Sequence, residues 1–213
     1  NPTPSPRAPR LGRPVHAPAS AALCLVLVLG YRASRPAARV VFEGEGAFGR
    51  VRVVEREDGL RSLYTGDGRA RQSALYPGRP IHLELAYSRV AMVGAALVPA
   101  DGPILFVGLG GGSMPSYTRE ILPGARIDVV EIDPLIVQVA RRHFGFRPDP
   151  WIAVHVGDGR AFIESAPPAS YDLVVLDAFS DDEVPFALTT WQFLQAVRAS
   201  LAPDGVVVSN LWS

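Results

Sequence analysis

The chain has 213 residues, of which 48% are hydrophobic, so it is long enough to bury one sizeable core beside a smaller appendage. It carries 21 basic and 21 acidic residues, and a formal net charge of zero gives no electrostatic support for binding nucleic acid. All 21 basic residues are arginine and none is lysine, which excludes lysine-dependent chemistry. The lone Cys24 excludes an internal disulfide, and the four scattered histidines do not indicate a metal site.

The N-terminal segment, residues 1–39, is predicted to lie outside the folded domains. Residues 1–16 are rich in proline and arginine and lack apolar periodicity, which is typical of disorder. The apolar run that follows, Ala17–Leu29, is shorter than the ~20 residues that a membrane-spanning helix needs. Three interpretations stay open for it: the core of a signal peptide, the stump of a transmembrane helix, or a buried helix or strand.

A small antiparallel β segment is predicted over residues 40–80. Apolar and polar residues alternate there in short stretches separated by polar or glycine-containing turns. The predicted strands are Arg50–Glu55, Leu60–Thr65 and Ala70–Ala74.

One helix is predicted between this segment and the rest of the chain, over His82–Val98. Its apolar residues recur at near-helical spacing, and a proline-containing loop ends it. The residues that carry this spacing are Leu83, Tyr87, Val90 and Leu97.

The domain over residues 81–213 repeats one unit, an apolar strand followed by a loop and an amphipathic helix. The predicted strands are Ile104–Val107, Arg126–Ile132, Ile152–Val156, Leu173–Asp177 and Val206–Asn210. The predicted helices are Ser116–Leu122, Leu135–Phe144, Arg160–Ser165 and Thr189–Leu201. This alternation predicts an α/β fold, a Rossmann-like, doubly wound parallel sheet with helices on both faces. Class I methyltransferase-type sheets have two further strands, so we expect C-terminal strands to be missing.

A glycine-rich turn, Gly108–Ser113, follows the first of these strands. Its glycines Gly108, Gly110 and Gly112 allow the backbone to approach a ligand, and the next helix offers unpaired N–H groups. A merely tight turn is the alternative. Glu131 at the end of the second strand favours a nucleotide, because an acidic side chain there can accept hydrogen bonds from ribose hydroxyls.

Acidic residues also follow the third and fourth strands. Asp158 can accept a hydrogen bond from an adenine amine, or it can cap the next helix. Asp177 stands at the edge of the expected crevice, where a carboxylate can act as a general base. Beyond it, Asp181 and its acidic neighbours either attract a cation or form a solvated loop.

The stretch Ile104–Asn210 resembles spermidine synthases, above all the divergent bacterial spermidine synthase-like proteins, some of which are fused to a membrane transporter domain. The shared features follow in one order along the chain: GLGGGS, VEIDP, GDGR, YDLVVLDAF, LTT and LAPDG. The preceding segment with Gln72 and the helix with Tyr87 also resemble the N-terminal part of that family.

The resemblance implies a site without a metal that binds S-adenosylmethionine or its decarboxylated form. It implies that Glu131 holds the ribose and that Asp158 with Gly159 holds the adenine amine. It further implies that Gln72 lines this pocket and that Asp177 deprotonates the attacking amine. Substrate contacts are expected from Tyr87 and Asp181. A small amine or diamine, a homodimer and a membrane domain of the full-length protein are the expected partners, with no nucleic acid.

Two departures from the family pattern leave the reaction open. Spermidine synthases have an aspartate where Gly111 stands, and that aspartate pairs with the ammonium of the decarboxylated substrate. The later aspartate of their DSSDP motif aligns with Ser180, although a small shift would let Asp181 take its place. Three functions are therefore considered: an aminopropyltransferase that makes polyamines, a methyltransferase that uses intact S-adenosylmethionine, and a nucleotide-sensing domain of a transporter. The expected location is the cytoplasm, with tethering to the inner membrane as an alternative.

Overall fold

The computed structural model describes residues 37–66, 71–79, 81–179 and 184–211. The apolar run Ala17–Leu29 and most of the predicted N-terminal segment lie outside these residues. Within the described parts of the chain, no helix is both long enough and apolar enough to cross a bilayer.

The first sheet has four antiparallel strands joined in chain order. They are β1 (Ala38–Gly46), β2 (Gly49–Arg56), β3 (Arg61–Thr65) and β4 (Arg71–Leu75). Alternate side chains on the inner strands, including Val51, Val53 and Leu63, are fully buried, as expected for strands with one face on a core. The predicted small antiparallel segment is confirmed, with β1 as a strand that the sequence pattern did not delimit.

The helix predicted over His82–Val98 is wrong in extent and in the face it buries. An α-helix, α1, covers only Ala86–Ala91, and a 3₁₀-helix continues from Met92 to Leu97. A 3₁₀-helix has three residues per turn, which places Met92 and Ala95 together against the core.

Two residues of the predicted apolar stripe, Val90 and Leu97, are consequently 72% and 65% exposed. Close packing gives the physical reason for the short α-helix. A Cβ on Gly94 would lie 2.6 Å from Val208 Cγ2, so the chain here lies almost in contact with the neighbouring sheet.

The second sheet has five parallel strands in the order β7-β6-β5-β8-β9. The strands are β5 (Ile104–Val107), β6 (Ile127–Glu131), β7 (Ile152–Val156), β8 (Tyr171–Leu176) and β9 (Leu201–Ser209). The helices that follow β5 to β8 are α2 (Ser113–Ile121), α3 (Pro134–His143), α4 (Gly159–Ser165) and α5 (Trp191–Ser200). The predicted doubly wound parallel sheet is confirmed, although β9 begins five residues before the predicted strand.

Both faces of the parallel sheet are buried. Ile104 and Phe106 on β5 face one core, which they share with α2, α3 and the first sheet. Their neighbours Leu105 and Val107 face a second core that includes Phe193 of α5. This double burial explains why the strands read as continuous apolar runs.

The order of the strands fixes where a ligand can enter. From β5 the chain builds outward through β6 and β7, then returns to the other side of β5 to form β8 and β9. Open α/β sheets bind ligands at the carboxyl ends of the two strands where this reversal occurs. Here those strands are β5 and β8. The contacts group the chain from Ala37 onward into one unit, so both sheets border this crevice.

Candidate functional site

The glycine-rich turn after β5 brings two strand ends into contact. Gly108 has φ +102°, and a Cβ at this residue would lie 2.2 Å from the carbonyl oxygen of Asp177 after β8. Only glycine fits both the conformation and the space. Gly110, with φ +55°, faces β4 of the first sheet. The turn therefore closes the crevice between β5, β8 and the antiparallel sheet.

Gly112 has a different surrounding. It has φ +76° directly before α2, and a Cβ there would lie 2.7 Å from the ring of Phe146. Gly112 is not among the residues that line the cavity described below. Gly112 therefore allows the chain to turn from the loop into α2 in a conformation that other residues rarely adopt.

Glu131 fixes the shape of this turn. It ends β6 and is 8% exposed, and its Oε2 accepts a hydrogen bond of 2.9 Å from the amide of Leu109. Its Oε1 accepts one of 3.0 Å from the amide of Asp133. Burial raises the pKa of Glu131, while these backbone donors lower it. Each oxygen keeps a second lone pair, so the carboxylate can still accept hydrogen bonds from a ligand.

Asp158 caps a helix and also lies on the wall of the cavity described below. Its Oδ1 accepts a hydrogen bond of 2.8 Å from the amide of Ala161 and so caps α4. The residue is exposed on the cavity wall beside Gly159. A Cβ on Gly159 would lie 2.5 Å from Val107 Cγ1, so a larger residue would push α4 away from β5.

Asp177 follows β8 directly and has two side-chain partners. Asn210 Nδ2, after β9, donates to Asp177 Oδ1 at 2.9 Å. The hydroxyl of Tyr87 on α1 lies 3.3 Å from Asp177 Oδ2 and 3.1 Å from the carbonyl oxygen of Gln72 on β4. Its single proton can serve only one of these acceptors fully at a time. Three distant segments thus meet at one carboxylate.

Burial dominates the protonation of this group. It raises the pKa of Asp177, and the hydrogen bonds from Asn210 and Tyr87 oppose that effect. Burial next to Asp177 also raises the pKa of Tyr87, so the phenol stays protonated. A carboxylate with a raised pKa is a stronger base than an ordinary aspartate.

A single cavity of about 350 Å³ joins these groups. Its walls include eight of the residues predicted from the sequence: Gln72, Tyr87, Gly108, Gly110, Glu131, Asp158, Gly159 and Asp177. Asp181, like Ser180, lies outside the described residues. The first sheet contributes mainly apolar side chains, among them Phe48, Val51 and Leu63.

The lining is acidic. Four of the residues that line the cavity carry carboxylic acids: Glu131, Asp133, Asp158 and Asp177. None of the described lining residues is an arginine or a histidine. Such a cavity favours a ligand that carries positive charge.

The sequence analysis missed two residues of the site, Asn210, which binds Asp177, and Ser73, which lines the cavity. Asn210 could have been found, since it ends the last predicted strand at the same edge as Glu131 and Asp177. Ser73 on β4 carries no sequence signal, because a single serine in a strand is ordinary.

The spermine/spermidine synthase domain matches residues 88–211, more than half of the chain. The chain belongs to this family. The matched region spans β5 to β9 and includes the glycine-rich turn, Glu131, Asp158 and Asp177.

Three known proteins illustrate the similarity. The polyamine aminopropyltransferase of Vibrio vulnificus is 40% identical over 129 residues, which cover 60% of this chain and 43% of that protein. A probable spermidine synthase from Corynebacterium glutamicum has a TM-score of 0.72 at 25% identity, covering 80% of this chain and 63% of that one. Human methyltransferase-like protein 13, solved in complex with SAH, has a TM-score of 0.50 at 32% identity, covering 58% and 63%. The chain therefore spans less than half the length of its Vibrio relative.

Proposed function

We propose that this member of the spermine/spermidine synthase family is an aminopropyltransferase, which transfers the aminopropyl group of decarboxylated S-adenosylmethionine to an amine. One observation carries the proposal. Asp177, held by Asn210 and Tyr87, lines the same acidic cavity as Glu131 and Asp158. The family and the Vibrio aminopropyltransferase support the same reaction.

The proposed substrate is a sulfonium compound, and its positive charge suits the acidic lining. In this proposal Glu131 accepts from the ribose hydroxyls through its free lone pairs, and Asp158 accepts from the adenine amine through Oδ2. Oδ2 is available because the helix cap uses only Oδ1. The backbone at Gly108 and Gly110, with Gly159 and Gln72, completes the pocket.

Asp177 is the proposed general base. A primary amine has a pKa near ~10.4 and is mostly protonated at neutral pH, so it must lose a proton before it can attack. As Asp177 takes this proton, the nitrogen bonds to the aminopropyl carbon next to the sulfonium. The C–S bond breaks and its electrons go to sulfur, which leaves neutral methylthioadenosine. Alignment and this proton transfer are the contributions of the protein.

Methyl transfer is the second candidate, and the surroundings of Gly111 favour it. A Cβ on Gly111 would lie 2.8 Å from Ser73 Oγ and 3.1 Å from the ring of Phe144, so an acidic side chain there would require both neighbours to shift. The charge that would select the decarboxylated substrate is absent at this position. The human methyltransferase-like neighbour was solved with SAH, the product of methyl transfer from intact S-adenosylmethionine.

Product analysis separates the two reactions. The protein is incubated with each sulfonium compound and a panel of mono- and diamines, and the nucleoside products are identified by mass spectrometry. Methylthioadenosine from the decarboxylated compound supports aminopropyl transfer. S-adenosylhomocysteine from the intact compound overturns it in favour of methyl transfer, and no turnover by the full-length protein favours a nucleotide sensor.

The proposed location is the cytoplasm, because the sulfonium substrate is made there. Protease accessibility of the domain in sealed cells tests this, and digestion from outside overturns it. Contact of Asp181 with the amine, a homodimer and a membrane domain in the full-length protein stay predictions.

A further inference from the structure

Ser73 places its hydroxyl at the glycine-rich turn. The residue is 3% exposed and lines the cavity next to Gln72. Its Oγ lies 2.8 Å from the Cβ position of Gly111 and 3.9 Å from that of Gly110. Among the described residues, none forms a hydrogen bond with this Oγ. Ser73 Oγ is not among the fully buried polar atoms without a partner, so it is open to the cavity that Ser73 lines, where a ligand can supply the missing hydrogen bond.

The location of Ser73 defines which part of a ligand it can reach. On one side, the turn leads to Gly108 and Glu131, where the adenosyl group is proposed to bind. On the other, Gln72 leads to Tyr87 and Asp177, where the amine is proposed to react. Ser73 lies between these ends, facing the space that a side chain at position 111 would enter.

We infer that Ser73 Oγ binds the polar end of the non-adenosyl arm of the sulfonium substrate, and that this end is an ammonium group. The inference rests on the proposed function and names the residue that recognises the arm. A serine hydroxyl can accept from an ammonium, and the four carboxylic side chains of the lining favour a positive group over a carboxylate. Ser73 thereby occupies the space of an acidic side chain that Gly111 does not provide.

A neutral hydroxyl gives weaker selection than a carboxylate. It can also donate to the carboxylate of intact S-adenosylmethionine, so this position rejects the intact substrate less strongly than a negative charge does. We therefore expect measurable binding of both sulfonium compounds, with the decarboxylated form bound more tightly.

The first test compares a ligand that carries the arm with one that lacks it. Calorimetry is carried out on the full chain with decarboxylated S-adenosylmethionine and with methylthioadenosine, which lacks the aminopropyl arm with its ammonium and the positive charge on sulfur. We expect Ser73→Ala to weaken binding of the first by about tenfold and to leave binding of the second within about twofold. Ser62→Ala is the matched control, because Ser62 is a buried serine on the adjacent strand outside the cavity lining.

The outcomes separate the inference from the proposed function. Equal loss for both ligands, or no loss for either, overturns the role of Ser73 while the wild-type protein still binds and reacts. Failure of the wild-type protein to bind either adenosyl compound overturns the proposed function instead. Thermal melting of each variant shows whether it is folded.

A second experiment probes the same space from position 111, and Ser73→Cys, which keeps the shape of the side chain but forms only weak hydrogen bonds, replaces Ser73→Ala in both experiments if Ser73→Ala folds poorly. Gly111→Asp alone is expected to lower the melting temperature, because its Cβ would lie 2.8 Å from Ser73 Oγ. In the Ser73→Ala background the Oγ atom is absent, so the aspartate side chain can occupy the space that Oγ filled. The double variant is then expected to bind the decarboxylated substrate at least tenfold more tightly than the intact one, on the order of 1.4 kcal/mol. No gain in discrimination over wild type overturns the inference.

Discussion

The two ends of the cavity are built in different ways. The proposed adenosyl end is defined by the Gly108–Ser113 turn, Glu131 and Asp158. Its carboxylates accept hydrogen bonds from backbone amides in their own loop or in the neighbouring loop. The proposed acceptor end is defined by Gln72, Tyr87, Asp177 and Asn210, and its hydrogen-bond partners are up to 90 residues apart in the chain. The first end depends on local loop geometry. The second exists only when both sheets are assembled.

Removing the proposed base, Asp177, should disable the acceptor end alone and has the largest expected effect. Asp177→Asn keeps the shape of the side chain and removes the proton acceptor, so turnover should fall by about 10²-fold or more. Affinity for methylthioadenosine should stay within about tenfold, a difference of ~1.4 kcal/mol. Mass spectrometry of the product and calorimetry measure the two quantities. Asp204→Asn, at an exposed site on β9, is the control, and near-normal turnover by the Asp177 variant contradicts the assignment.

The converse change breaks the adenosyl end. Glu131→Gln removes the carboxylate that accepts hydrogen bonds from the amides of Leu109 and Asp133. Because these bonds hold the glycine-rich turn, affinity for methylthioadenosine should fall by about tenfold. The pH dependence of turnover should be unchanged, because it belongs to the acceptor end. Calorimetry and a pH profile at saturating substrate test both parts, with the exposed Glu120→Gln as control. A shifted profile would show that the two ends are not separable.

Changes to the partners of Asp177 sharpen the comparison through pH. Asp177 must be ionised to act as a base, and the hydrogen bond from Asn210 lowers its pKa. Asn210→Ala should therefore raise that pKa and move the acid limb of the turnover profile to higher pH. Tyr87→Phe should move it in the same direction by less, because the Tyr87 contact is 3.3 Å against 2.9 Å. The reverse order of the two shifts would contradict the geometry.

The smallest expected effect concerns stability. Burial raises the pKa of Asp177, so the unfolded chain loses this proton at a lower pH than the folded chain does. Stability therefore falls as pH rises from the unfolded value of ~3.9 through the raised folded value. Asp177→Asn removes this penalty and should raise the melting temperature at neutral pH. The gain should shrink as the pH approaches 4, and a gain that is constant with pH would point to another cause.

Much of the parallel sheet follows from sequence alone. The strands Ile104–Val107 and Ile152–Val156 were predicted to the residue, because short apolar runs between polar loops define them. Glu131, Asp158 and Asp177 were placed for the same reason, since each directly ends or follows such a strand.

The parts that were missed depend on contacts between segments. The short α1 results from the close approach of Gly94 to Val208, which no local pattern reveals. Asn210 reaches Asp177 because β8 and β9 pair in parallel with Leu176 beside Ser209. Ser73 gains its place only when β4 packs against the glycine-rich turn.

The tip of the β1–β2 hairpin is held to the Rossmann-like half by Asp133. One oxygen of this carboxylate caps α3 through the amide of Leu135, and the other accepts a hydrogen bond of 3.0 Å from the amide of Ala47. Phe48, next along the tip, is half exposed and forms part of the cavity wall. A charge-assisted bond of this kind contributes only about 1.5–3 kcal/mol, far less than unfolding either sheet costs. Loss of the Asp133 carboxylate is therefore expected to free the hairpin tip and widen the cavity at Phe48 without unfolding either sheet.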